Sequence, residues 1–156
     1  MSINDANVDF GRVYGDRIGG SRVENRRSIA SASRTISAQC VRATKMALRF
    51  DGAPSREGWM RLGRMADYTL TVTRVTLDGK DVQVGVMESG GRHRVTAAPV
   101  RLRSDDVLFA GASDTAAAGR RLDVVVRIDA YRTEEAPLTA DVTATAESRF
   151  RLVSVF

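Results

Sequence analysis

The sequence predicts an all-β, antiparallel fold, and three observations carry that prediction. Apolar and polar residues alternate with a period of two along most of the chain, while helical periodicity is almost absent. Asp-Gly, Gly-Gly, Ala-Pro and Asp-Asp pairs break the alternation every eight to twelve residues, a spacing that suits a sandwich or a barrel. Hydrophobic residues make up 43% of the 156 residues and charged residues 28%, a composition able to bury one core.

Taken in order, the segment from Asp16 to Ser33 is rich in Gly, Arg and Ser, so residues 1–33 are expected to be partly irregular and exposed. RTISAQC (34–40) and KMALRF (45–50) then alternate as two strand-like runs. In the second, Met46, Leu48 and Phe50 share the core face, and Lys45, Ala47 and Arg49 share the other. DGAP ends it as a turn. SREGWMRLGRMA holds Gly58 and Gly63 and reads as a structured loop rather than a helical turn.

ADYTLTVTRVTLDG follows, with Thr69, Thr71, Thr73 and Thr76 set among Tyr68, Leu70, Val72 and Val75 before an Asp-Gly turn. β-branched and aromatic residues bounded in this way make a strand. Short strands are expected in DVQVGVME, HRVTAA, PVRLRS and DVLFAG. After a small-residue loop, RRLDVVVRIDAY places Leu122, Val124, Val126 and Ile128 on one face, and ADVTATA and SRFRLVSVF close the chain as strands. In the last, Phe150, Leu152 and Phe156 fall on one face with Ser154, while Arg149, Arg151, Val153 and Val155 fall on the other. A strand apolar on both faces is either central in its sheet or covered by a partner.

The residue types needed for common catalysis are sparse. His93 is the only histidine and Cys40 the only cysteine, too few for a usual zinc site, and no Gly-rich phosphate loop opens a helix. His93 lies between two arginines after a Gly-Gly turn and reads as a surface residue. Asp105 and Asp106, and Glu134 and Glu135, are sequence neighbours that point to opposite faces of a strand or sit in turns. The expected protein is not an enzyme and needs no metal or cofactor. Trp59, in its glycine-bounded loop, is where a ligand pocket would be sought.

Lys and Arg outnumber Asp and Glu by 24 to 19, a formal charge of +5, with lysine only at Lys45 and Lys80. The charges interleave along strands instead of forming runs, so no nucleic-acid partner is expected. Arg92 and Arg94, and likewise Arg101 and Arg103, alternate onto common faces that would suit an anionic ligand of a complete β-sandwich binding module. No window nears the ~18 apolar residues of a transmembrane segment, and the first ten residues lack the basic and apolar regions of an export signal.

The order of VDFGRVYG, RTISAQCVRATKMALRFDG, MRLGRMADYTLTVTRVTLDGKDVQV and a terminal alternating strand resembles the pilin domains of bacterial chaperone–usher fimbriae, most closely a branch of fimbrial-like proteins of that architecture. The matching parts span residues 7–156 and are best between Thr35 and Val84. Each motif alone is ordinary β-sheet sequence, and only their order is telling.

The resemblance implies an immunoglobulin-like antiparallel β-sandwich that is incomplete, lacking its last strand. A donor strand from a neighbouring fimbrial subunit, or from a periplasmic chaperone, would complete it by β-strand addition. Phe150, Leu152 and Phe156 would line the partner-strand groove, with Met46, Leu48 and Phe50 as the core strand beneath. Cell adhesion is the implied process, and the cell-surface fimbrium, reached through the periplasm, the implied location.

In such domains the cysteine that ends the second strand pairs with one upstream of the VDFG segment. Cys40 has no partner in this sequence, which begins about where that upstream strand would end. The expectation is either a truncated sequence, missing signal, donor extension and first cysteine together, or a variant without the disulfide. In this chain Cys40 is then a buried free thiol unless it pairs between chains. Without a donor extension the subunit would accept a strand but not give one.

Overall fold

In the computed structural model the described residues are 2–3, 8–13, 22–23, 26–55, 58–62, 66–111, 115–132, 142–146 and 149–154. Through them run β1 (Ser2–Ile3), β2 (Val8–Val13), β3 (Arg22–Val23), β4 (Arg26–Asp51), β5 (Met60–Leu62), β6 (Ala66–Leu77), β7 (Lys80–Asp81), β8 (Val84–Met87), β9 (His93–Thr96), β10 (Val100–Leu102), β11 (Val107–Ala110), β12 (Ala118–Arg132), β13 (Val142–Ala146) and β14 (Arg149–Ser154). Every pairing among the described residues is antiparallel, and none of these residues is helical. The all-β expectation therefore holds.

One curled sheet supplies two layers because β4 belongs to both. Its first part pairs with β12, which pairs in turn with β6. The outer edge of β6 is covered piecewise by β5, β10 and β7. The last part of β4 pairs with β11 on one edge and β14 on the other, and β8 and β9 extend that layer beyond β11. β2 and β13 form a separate two-stranded sheet.

The layers close on one core. Ile36, Tyr68, Leu70, Leu122, Val124, Val126 and Ile128 of the first layer share a buried cluster with Met46, Leu48, Phe50, Val84, Val86 and Leu108 of the second. Burying a leucine- or phenylalanine-sized side chain contributes roughly 1.5–3 kcal/mol, so this cluster is the main source of stability.

The transfer of β4 between layers happens at its cysteine. Gln39 lies opposite Arg121 and Thr44 opposite Gly119, so Cys40, Val41, Arg42 and Ala43 together oppose the single residue Arg120. Such a bulge bends and twists the strand that carries it. Across from it, the Asp78 carboxylate accepts the backbone N–H groups of Arg120 (2.9 Å) and Arg121 (2.8 Å). Asp78 and Gly79 both have positive φ, 50° and 81°, as a two-residue hairpin turn requires, which gives the Asp-Gly pair its role.

Three expectations need correction. RTISAQC and KMALRF are not separate strands but parts of β4, joined through the bulge. Residues 26–33, expected to be irregular, are also β4 and pair with β12 from Arg27 to Ser33, with one register shift that leaves Ile29 as an extra residue. Backbone pairing with the largely apolar strand β12 on both sides of that shift overrides the weak strand preference of Ser, Ala and Arg there. Within SREGWMRLGRMA, Met60–Leu62 is the short strand β5, and Met60 and Leu62 are buried.

Candidate partner-strand site

The last part of β4 is the floor of the site. Met46, Leu48 and Phe50 are buried in the main core, as their spacing predicts. Ala47, expected on an open face, is also fully buried, because Phe109 and Ala116 cover it from the far side. The Phe109 ring has room because Gly85 faces it across β8 and β11, and a Cβ on Gly85 would lie 2.0 Å from that ring. A glycine inside a strand marks such a close approach, so the signal is present in VQVGVME, although only the fold identifies the partner.

β14 lies along this floor in register, with Phe150 opposite Phe50, Leu152 opposite Leu48 and Val153 opposite Ala47. The rings of Phe50 and Phe150 are 5.2 Å apart and tilted by 36°, within the range for attractive aromatic pairs. Phe150 is buried, whereas Leu152 is half-buried against the main core and Val153 half-buried against Ala47 and Phe109. The exposed Arg151 reaches the Asp51 carboxylate, which raises its pKa through that hydrogen bond and the charge behind it. Phe156 lies outside the described residues.

Apolar groups thus sit on both faces of β14, and among the described residues its only hydrogen-bonded strand is β4. The edge of β4 that carries β14 also carries β3 at Arg26–Arg27 and β1 at Ala38–Gln39.

Cys40 is half-buried and free, rather than fully buried, and packs beside the main core. The bulge holds it at the margin of the first layer, next to Val41, which is 90% exposed.

The four arginines singled out for anion binding differ in what they touch. Arg94, in β9, donates to the backbone carbonyl of Arg101 (3.1 Å) and lies 3.4 Å from the Glu88 carboxylate. Arg101, in β10, donates to the Gly58 carbonyl (2.8 Å), and its guanidinium lies 5.0 Å from the centre of the Trp59 ring. Arg92 and Arg103 are exposed and make no ion pair among the described residues. Alternation alone does not separate the two kinds, because each partner comes from a different strand or turn.

His93 is exposed at the start of β9, as expected of a residue after the Gly-Gly turn. Asp105 is exposed and paired with Arg49 (2.7 Å), whereas its neighbour Asp106 is buried and accepts the backbone N–H of Arg103 (2.8 Å). Burial pushes the Asp106 carboxyl above its ordinary pKa, against the pull of that N–H. Among the described residues no helix is long and apolar enough to cross a membrane. No known family model matches the chain, and no curated protein is significantly similar to it.

Proposed function

We propose that this chain is a fimbrial or fimbrial-like structural subunit that accepts a donor strand from a neighbouring subunit or a periplasmic chaperone, in the service of cell adhesion at the cell surface. One observation carries the reading: β14 is apolar on both faces yet hydrogen-bonds, among the described residues, to β4 alone. A strand edge of that kind is a template for an incoming strand, whose backbone supplies hydrogen bonds and whose alternate side chains fill the space beside Leu152 and Val153. The order of sequence motifs supports the same reading. The role is structural, and no bond-making step belongs to it.

Thermal unfolding, with and without alternating-hydrophobic peptides, tests it. A peptide that binds only the folded chain raises the midpoint with concentration, by the equivalent of about 2.7 kcal/mol at one hundred times its Kd. The same peptide with aspartate at its apolar positions should have no effect. A midpoint indifferent to every donor-type peptide would sink the proposal.

A further inference from the structure

One end of the first layer is built from three neighbouring pieces that strand addition does not use: the bulge of β4, the start of β12 and the Asp78–Gly79 turn. The Asp78 N–H donates to the Arg121 carbonyl (2.8 Å), which ties the turn to β12. Gly119 lets them close, since a Cβ there would lie 2.4 Å from the Leu77 side chain. On the other side of β12, the Thr44 hydroxyl donates to the Arg42 carbonyl (2.9 Å) and steadies the bulge. Among the described residues, Val41 at its apex is the one large apolar side chain left exposed.

Cations flank it along the chain and across the sheet. Arg42 follows it in the bulge, Arg120 is the residue that the bulge opposes, Lys45 lies opposite Ala118, and Lys80 follows the turn. All four are exposed, and none makes an ion pair among the described residues. The acids of these pieces are occupied: the Asp78 carboxylate by the backbone N–H groups of Arg120 and Arg121, Asp81 by Arg74 (2.6 Å), and Asp123 by Arg121 (2.8 Å). This end of the layer is therefore positive, with an apolar tip.

We propose that this end docks onto an anionic lipid bilayer, lying on it rather than crossing it. The cations suit the anionic headgroups, and Val41 suits the apolar boundary just beneath them. A soluble polyanion would use the charges alone and leave Val41 in water, so the bilayer is the occupant that uses both. No residue of β14 takes part, and nothing in this inference depends on whether β14 accepts a strand.

Lysine occurs only at Lys45 and Lys80, so lysine acetylation, read by peptide mass, reports on this end alone. With vesicles of phosphatidylglycerol and phosphatidylcholine in equal parts, the chain is expected to sediment and both lysines to be protected. Phosphatidylcholine alone, or high salt, should do neither. Arg42→Gln combined with Arg120→Gln should lower the partition about twenty-fivefold, at about fivefold for each cation near the membrane. Val41→Thr, of the same shape and charge, should lower it about threefold or more, because a hydroxyl enters an apolar layer. Unfolding midpoints should be unchanged, since these side chains are exposed. Arg61→Gln, at the opposite end of β6, should bind as the parent chain does. No sedimentation with the anionic vesicles, or sedimentation that leaves the lysines reactive, overturns the proposal. Protection by heparin as strong as by the vesicles, or a Val41→Thr chain that binds as the parent does, reduces this end to a polyanion site, and either also overturns it.

Discussion

The two ends of β4 are one continuous strand in two environments. Near its start Ser31, Ser33, Arg34 and Thr35 are exposed and Ala32 is half-buried, whereas near its end Met46, Ala47, Leu48 and Phe50 are 0–1% exposed. The early part follows β12 on one edge and meets β3 and β1 over only two positions each on the other. The late part has β11 on one edge and β14 on the other, with the Phe109 ring closing the face that alternation leaves open. Strand periodicity tells which residues share a face, but the number of elements packed around the strand decides whether that face is buried.

The largest effect that would sharpen this contrast is at Phe50. Phe50→Ala opens a hole beneath Phe150 and is expected to cost about 3–5 kcal/mol. Thr35→Ala, at the exposed end of the same strand, should stay within about 0.5 kcal/mol by chemical denaturation. Comparable costs at the two positions would break the comparison.

Next is Gly85→Ala, which tests whether the far face of the late part is as tightly filled as the near one. Its new Cβ would meet the Phe109 ring at 2.0–2.5 Å, so the ring must leave Ala47. Overpacking of this kind costs roughly 1–3 kcal/mol. A neutral outcome would mean that the ring is not held there.

The smallest change is at Asp106, which with its neighbour Asp105 brackets the end of β4: Phe50 N–H donates to the Asp106 carbonyl (2.9 Å) and Asp105 N–H to the Phe50 carbonyl (2.8 Å). The buried Asp106 carboxyl has a raised pKa, chiefly from desolvation, so the folded chain holds that proton to higher pH than the unfolded chain does. Its contribution to stability is fully present below the ordinary value of 3.8 and is lost as pH rises through the raised one. Asp106→Asn keeps an oxygen for the Arg103 N–H without the charge, so it should be the more stable form at neutral pH. That advantage should vanish as pH falls below 3.8. Denaturation midpoints of the two forms across that range check the sign, and a constant difference would show that the carboxyl is not buried.

Much of this architecture was legible in the residues. Leu122, Val124, Val126 and Ile128 line one face of β12 as their spacing says, and the apolar residues of β6 do so through Tyr68, Leu70 and Val72 before stepping to Val75. That odd step is legible only afterwards: the pairing of β6 with β12 slips between Val125 and Val126, leaving Thr73 as the extra residue, with its hydroxyl on the Val125 carbonyl (3.2 Å). At the candidate site the floor of Met46, Leu48 and Phe50 and the strand residues Phe150 and Leu152 were named by alternation. The covering of Ala47 by Phe109 was not, because it joins residues far apart in the chain.

The same division runs through the molecule. Local chemistry by itself determined the class of fold, the Asp-Gly turn and the inward faces of its strands, since period-two burial and positive φ are properties of neighbouring residues. Only the tertiary structure decided that the cysteine segment is a bulge carrying β4 from one layer to the other. It also decided that Arg101 is held against Trp59 while Arg103 stays exposed, because such pairings are made between residues that the sequence holds apart.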